Sequence, residues 1–259
     1  MAPWQAFLLT PPGLLWVAIY GAAVGSFLNV VAWRLPRGIS MVAPRSRCPR
    51  CASPIRPWHN LPILGWLLLG GRCRDCRLPI SLRYPAIEAL TAVLFLLAFL
   101  RHPDFATALF ACAVAAWVLV LALIDLDLRV LPDSLTLPAI AAGLALHAGG
   151  FSFSGESWRE ALSASLLASG GLGLLAAAWR RLFREDGFAA GDVRMAAALG
   201  ALFGSRDLLF LLFAAAALAL VAGGLAAVSR PRGARRRGLP FGAALGAATL
   251  VLVLGFYPP

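Results

Sequence analysis

Carboxylates are scarce in this chain, with twelve Asp and Glu among 259 residues. Two groups of them sit at the edges of long apolar runs. The first is Asp125-Leu126-Asp127-Leu128-Arg129-Val130-Leu131-Pro132-Asp133, and the second is Gly191-Asp192-Val193-Arg194. Two carboxylates brought face to face can share a proton and activate a water for attack on a peptide carbonyl, one serving as base and the other as acid. Spacing alone leaves plainer roles open for each. Asp192 follows Gly191 and is also suited to cap a helix N-terminus, where the dipole favours an anion. Asp133 follows Pro132 and precedes an apolar stretch, which predicts a helix N-cap. Asp127 lies two residues from Asp125 and points to another helix face, as a solvated or arginine-paired group would. Glu185 and Asp186 fall in an arginine-rich stretch and are expected to be solvated.

The cysteines form a second constellation. Cys48-Pro-Arg-Cys51 and Cys73-Arg-Asp-Cys76 are two C-x-x-C pairs separated by 21 residues. Each pair brings two thiolates to one tetrahedral ion, and neighbouring arginines favour the thiolate form. The rival arrangement, two disulfides, is disfavoured if the segment faces a reducing compartment. Four thiolates complete a zinc coordination shell, so the predicted metal is structural. Cys112 lies within an apolar run and is expected to be a small buried residue. His59 is expected to be an ordinary polar loop residue.

The elements that must position these groups are apolar helices. Hydrophobic residues make up 60% of the chain and charged residues 14%, and the mean hydropathy is +0.80. A soluble domain carries roughly a quarter charged residues. Several apolar runs approach the ~20 residues that cross a hydrocarbon core, and eight spans, some of them short, are placed at 13–33, 86–100, 105–124, 135–149, 161–179, 190–204, 207–228 and 239–257. The chain is therefore expected to be an all-α polytopic membrane protein with about eight transmembrane helices and one small soluble loop. Pro138 is a possible kink in the fourth segment. The Ala- and Gly-rich sixth suits close packing inside a bundle, and Trp158 and Trp179 bracket the fifth. Residues 1–12 lack a basic region, so the first segment is expected to be a permanent helix. No internal repeat is evident.

All 23 basic residues are arginine and the net charge is +11. With eight alternating spans, every arginine except Arg101, Arg159 and Arg206 falls on one side. By the positive-inside rule that side is cytoplasmic. It carries the 34–85 loop, both aspartate groups and the arginines between Arg230 and Arg237. The arginines flank apolar runs rather than building one basic domain, so nucleic acid is not the expected partner. A loop of about 50 residues is too small for a self-sufficient core and needs a staple such as the zinc site.

The same residues resemble the type IV prepilin peptidases, over nearly the whole chain. The matching pieces are Gly25-Ser26-Phe27-Leu28-Asn29-Val30-Val31 with Arg34-Leu35-Pro36, the two cysteine pairs, Asn60-Leu61-Pro62, Gly71-Arg72-Cys73, and Arg83-Tyr84-Pro85 followed by Glu88. Asp125 through Asp133 matches the family's first aspartate motif, and Gly191-Asp192-Val193-Arg194 its second. The resemblance implies an intramembrane aspartyl protease of the bacterial inner membrane. Such an enzyme cuts the basic leader from prepilins or pseudopilins at the cytoplasmic face and, in the bifunctional type with four cysteines, N-methylates the new terminus with S-adenosylmethionine. It assigns catalysis to Asp125 and Asp192. It also suggests a first helix (1–33), a zinc-binding loop within the methyltransferase region (34–85) and a seven-helix peptidase domain (86–259). Asn29, Arg83, Tyr84 and Glu88, at the flanks of the loop, are candidates for the methyl-donor site. Glu88 is equally suited to being a packed acid at a helix start.

Two positions depart from the family pattern. Ala189 stands where the second motif commonly has glycine, adding a Cβ where glycine would allow close backbone approach. Arg194 stands in place of lysine, with the same charge and a different shape. Two other readings compete. One is a peptidase without methylation, against which the complete cysteine set argues. The other is a zinc-stapled scaffold or transporter, against which the placement of both acids at one membrane edge argues, since transporters hold theirs near the midplane.

Overall fold

The computed structural model describes residue 8 and residues 10–43, 45–102, 104–184, 189–228 and 241–256. Glu185, Asp186 and the arginines from Arg230 to Arg237 lie outside them. Among the described residues the fold is helical, with no sheet. The helices are α1 (Pro11–Arg34), the short α2 (Leu64–Leu68), α3 (Arg83–Arg101), α4 (Phe105–Leu128), α5 (Asp133–Ala148), α6 (Trp158–Phe183), α7 (Ala190–Phe203), α8 (Ser205–Val228) and α9 (Phe241–Val251), which continues as a π-helical turn over Leu252–Phe256. The eight longer helices overlie the eight apolar segments expected from sequence. Five of them, α1, α3, α4, α6 and α8, are long and apolar enough to cross a membrane. The other three are shorter: α5 has 16 residues, α7 has 14 and α9 has 11.

The chain divides into two compact units, residues 1–120 with 253–259, and residues 121–252. In the first unit, α1 and α3 pack through glycine. A Cβ on Gly21 would lie 2.8 Å from the Ala92 Cα, and one on Gly25 would lie 2.8 Å from the Glu88 Cα. Thr10 and two prolines start α1. The Thr10 hydroxyl accepts the Gly13 N–H at 3.4 Å, and prolines in a first turn forgo only N–H groups that lack helical partners.

The second unit is built around α7. Every residue from Met195 to Phe203 is buried, as the Ala/Gly content predicted. Gly200 lies against the α6 backbone, where an added Cβ would be 2.8 Å from both Ala164 C and Ser165 N. Gly143 of α5 lies against α7 in the same way, 2.6 Å from Ala201 O. Capping sets the helix starts. Ser157 and Glu160 form a reciprocal capping box on α6. The Glu156 carboxylate accepts the Ser205 and Arg206 N–H groups at 2.7 and 2.9 Å, closing the start of α8.

Two sequence expectations change here. Helix α4 runs on to Leu128, with the Arg129 N–H bonded to the Asp125 carbonyl at 2.9 Å, so Asp125 lies in a last helical turn rather than in the following loop. No helix-breaking residue intervenes before that point, and the turn ends where Arg129 takes φ +59°. Asp133 is not the N-cap of α5: Pro132 occupies that position and Asp133 is the first helical residue. Helix α5 continues through Pro138.

A larger side chain at Gly200 must displace backbone, whereas Gly170 on α6 meets nothing within 4 Å. Gly200→Val is expected to lower stability by about 1–3 kcal/mol through overpacking. Gly170→Ala is expected to be neutral or slightly stabilising. Thermal unfolding of the purified protein in detergent measures both.

Candidate active site and metal centre

Asp125 and Asp192 are both buried, 5% and 8% exposed, and lie within electrostatic reach of each other in the second unit. Each is held by a backbone N–H at a helix N-terminus. Asp125 Oδ2 accepts the Ala243 N–H of the first turn of α9 at 2.9 Å. Asp192 Oδ2 accepts the Ala189 N–H at 2.9 Å. That bond is half of a capping box, since Ala189 has no acceptor with which to supply the other half. Asp192 is thus a helix cap and a member of the pair at once. First-turn N–H groups have no intrahelical partners, so they can hold a carboxylate at no cost to the helix.

Leu131, 6% exposed, packs beside the glycines at both helix starts. It fits a cradle of two glycines. A Cβ on Gly191 would lie 2.8 Å from the Leu131 Cβ. One on Gly242 would lie 2.9 Å from Leu131 Cδ1 and 3.1 Å from Asp125 Oδ2. The turn after α4 is therefore plugged into the start of α7 and the start of α9. An ion pair closes its far end: the Arg194 guanidinium is 2.6 Å from Asp133 Oδ1. Arg194 Nε is buried without a hydrogen-bond partner. Asp127 is exposed and does not join the pair.

Sequence reasoning did not find Leu131, Gly242 or Ala243 as site residues. An apolar side chain and a glycine in an apolar run carry no chemical signal until the chain folds. The alanine at 189 carries no backbone strain. It is exposed and extended, φ −74° and ψ 153°, a conformation open to any L-residue.

The cysteines converge in the first unit. Their four sulfurs all lie within 4.8 Å of one another. Cys48 Sγ is 3.9 Å from Cys76 Sγ, and Cys51 Sγ is 3.9 Å from Cys73 Sγ. A tetrahedral ion with metal–sulfur bonds of ~2.3 Å separates its sulfurs by about 3.8 Å. No two of these cysteines are disulfide-bonded, so the cluster could hold a metal. Hydrogen bonding from the Ser53 hydroxyl, then from its backbone, brings the Cys51 thiol down to about 6, and backbone bonds from Cys76 and Asp75 lower that of Cys73.

The two knuckles are copies of one another, contrary to the expectation of no repeat. Residues 47–55 and 72–80 both read Arg-Cys-x-x-Cys-x-x-Pro-Ile. In each, the first cysteine N–H bonds to the carbonyl two residues after the second cysteine (Cys48 to Ser53, Cys73 to Leu78, both 2.9 Å). The residue after the second cysteine, Ala52 or Arg77, takes φ +60°. The repeat spans only a few residues, below the length at which repetition announces a repeat fold.

The loop-flanking candidates lie at the ends of α1 and α3. Asn29 Nδ2 donates to the Gly25 and Tyr84 carbonyls at 3.2 and 3.4 Å. Glu88 is buried and accepts the Ile63 N–H at 2.6 Å. Arg83 and Tyr84 are exposed. Cys112 is buried in α4.

Comparison with known proteins gives two family matches. Residues 19–102 match the bacterial peptidase A24 N-terminal domain and residues 112–224 match the type IV leader peptidase family. The chain is 35% identical over 250 residues to a prepilin leader peptidase/N-methyltransferase of Neisseria gonorrhoeae, covering 87% of this chain and 86% of the relative. It is 37% identical to one from Burkholderia pseudomallei (strain 1026b), covering 98% of this chain and 91% of that one. It is 42% identical over 198 residues to one from Myxococcus xanthus, covering 76% of this chain and 58% of the relative's length. No solved structure matches the chain.

The Arg194–Asp133 pair is partly exposed, with side-chain exposures of 34% and 57%, so screening keeps its contribution small. A double-mutant cycle of Arg194→Ala and Asp133→Ala, read by thermal unfolding, is expected to give a coupling of about 0.5–1 kcal/mol.

Proposed function

Because the chain belongs to the type IV leader peptidase family, we propose that it removes the basic leader from type IV prepilins or pseudopilins and then N-methylates the new terminus. The observation that carries the peptidase reading is the buried pair of aspartates, each held by a helix-start N–H. In this reading the two carboxylates share one proton. The ionised carboxylate takes a proton from water as the water oxygen attacks the scissile carbonyl, and the protonated one donates to the carbonyl oxygen. Collapse of the tetrahedral intermediate breaks the C–N bond: the leaving nitrogen takes a proton from one carboxyl while a hydroxyl of the intermediate gives its proton to the other. Asp125 and Asp192 are the residues in this proposal that touch the reacting atoms. Leu131 and Gly242 position them.

The arginine distribution supports a cytoplasmic placement of the loop and of both aspartates. A prepilin's apolar helix would then lie in the bilayer with its cut site near the interface. The exposed acid Asp127 offers charge complementary to a basic leader.

Zinc is the metal that best suits four thiolates, and we assign it a structural role, holding the two knuckles together. The methyl donor, S-adenosylmethionine, would supply the transferred methyl group. We place it at the loop-flanking ends of α1 and α3. There Arg83 carries the charge to meet the donor's carboxylate, Tyr84 is exposed beside it, and Asn29 and Glu88 brace the backbone.

Asp125→Ala and Asp192→Ala are each expected to abolish cleavage of a prepilin peptide while the protein still accumulates in the membrane; Asp127→Asn is expected to retain it. Normal processing by either alanine variant overturns the assignment. Gly242→Ala crowds Asp125 and is expected to lower kcat by about ten- to a hundredfold. Elemental analysis is expected to find about one zinc per chain, lost in Cys48→Ser. Mass spectrometry of the processed pilin terminus is expected to show N-methylation, and an unmethylated terminus in the presence of donor removes the second activity.

A further inference from the structure

The cysteine-bearing loop carries an apolar surface that neither the peptidase reading nor the metal site uses. Between the two knuckles the chain forms a 3-10 turn, Pro57–Asn60, and then α2. One face of this segment is spent on the loop itself. Trp66 Nε1 donates to the Ile80 carbonyl at 3.1 Å, and the Trp66 ring fills the space beside Gly71, where a Cβ would lie 2.7 Å away. Gly65 lies against the His59 carbonyl. The other face is left outward. Leu64, Leu67 and Leu68 stand at helical i, i+3 and i+4 spacing on α2, and Leu61 and Trp58, just before it in the chain, are exposed as well. Their exposures run from 48% for Leu61 to 73% for Leu68. Single exposed apolar residues are ordinary, but this many within one short segment mark something that covers them.

A hydrogen bond ties this segment to a helix long enough to span a membrane. Helix α3 has 19 residues and arginine at both ends, a length of about 28 Å that matches a hydrocarbon core of ~30 Å. The Ile63 N–H, between Leu61 and Leu64, is bonded to Glu88 of α3. Glu88 lies five residues inside the helix start, about 7 Å along its axis. The segment is thus tied alongside the second turn of a spanning helix, below the level of Arg83. Interfacial amphipathic segments bury their apolar face ~5–10 Å into the boundary between headgroups and acyl chains. Ile63 accepts φ +61° to make this bond, a strained conformation for a β-branched residue.

The charge around the segment completes the argument. Residues 34–82 carry nine arginines and one acid, Asp75. Arg56 stacks on the Trp58 ring with its guanidinium carbon 5.8 Å from the centroid, and Arg72, Arg74 and Arg77 are exposed on the second knuckle. Such clusters are attracted to anionic headgroups.

We infer that residues 57–69 are an interfacial membrane anchor: Trp58, Leu61, Leu64, Leu67 and Leu68 dip into the anionic leaflet from which α1 and α3 emerge, and the flanking arginines meet its headgroups. The metal-stapled loop is thereby held flat against the membrane. This goes beyond the proposed activity and stands whether or not the protein cleaves prepilins.

The test is labelling of the full-length protein in phosphatidylglycerol-containing vesicles by a phospholipid with a photoactivatable acyl chain, read by peptide mass spectrometry. Residues 57–69 are expected to be labelled to the level of the outward-facing Trp16 and Tyr20 of α1, while the knuckles at 46–55 and 71–80 stay at background. The pair Leu67→Asn and Leu68→Asn is expected to lose the label from 57–69 and keep it on α1. Background labelling of 57–69 in the wild-type protein overturns the proposal, whether a second copy or a substrate helix proves to cover the segment. The wild-type comparison decides the matter even if the double variant does not fold.

Discussion

A carboxylate buried among helices has few donors to call on, because every N–H beyond the first turn of a helix is bonded to a carbonyl of that helix. Only helix starts offer unpaired N–H groups. The arrangement around Asp125 and Asp192 follows from this constraint. Asp192 lies in the first turn of its own helix and takes its donor from Ala189. Asp125 lies in the last turn of α4, where the N–H groups of its own helix are already bonded to carbonyls. It takes its donor from Ala243, in a helix that starts more than a hundred residues later. The start of α9 must therefore come to the end of α4, and that requirement shapes the second unit.

Glycine makes the approach possible. Leu131 fills the space between the two helix starts only because Gly191 and Gly242 have no side chains there. The same device recurs where Gly200 meets α6 and Gly143 meets α7. Close backbone approach through small residues is how helices gain contact where lipid supplies no hydrophobic drive. It also lets α7, only 14 residues long, be buried on all sides while presenting Asp192 at one end.

The first unit answers a different problem. Its loop is too short for a core, and it is held by two copies of one knuckle that bring four sulfurs together. A tie from Ile63 to Glu88 and a brace from Asn29 to Tyr84 fasten the loop to its flanking helices. Residues considered for ligand binding from their position in the chain thus also carry local hydrogen bonds.

Composition, the spacing of apolar runs and the two C-x-x-C pairs were enough to make the chain helical, to locate its eight longer helices and to single out four cysteines that do meet. These properties are local: apolar length and ligand spacing are written along the chain and need no fold to be read. The two aspartate motifs were legible as chemistry for the same reason, since carboxylates are rare in an apolar chain. The sequence did not show that Asp133 would pair with Arg194 rather than cap α5, that α4 would carry Asp125 within its last turn, or that Ala189 would sit in an extended conformation without backbone strain. Nor did it mark Leu131, Gly242 and Ala243. Their parts depend on which helix starts come together, and a leucine, a glycine and a backbone N–H acquire a role only from what the tertiary structure sets beside them.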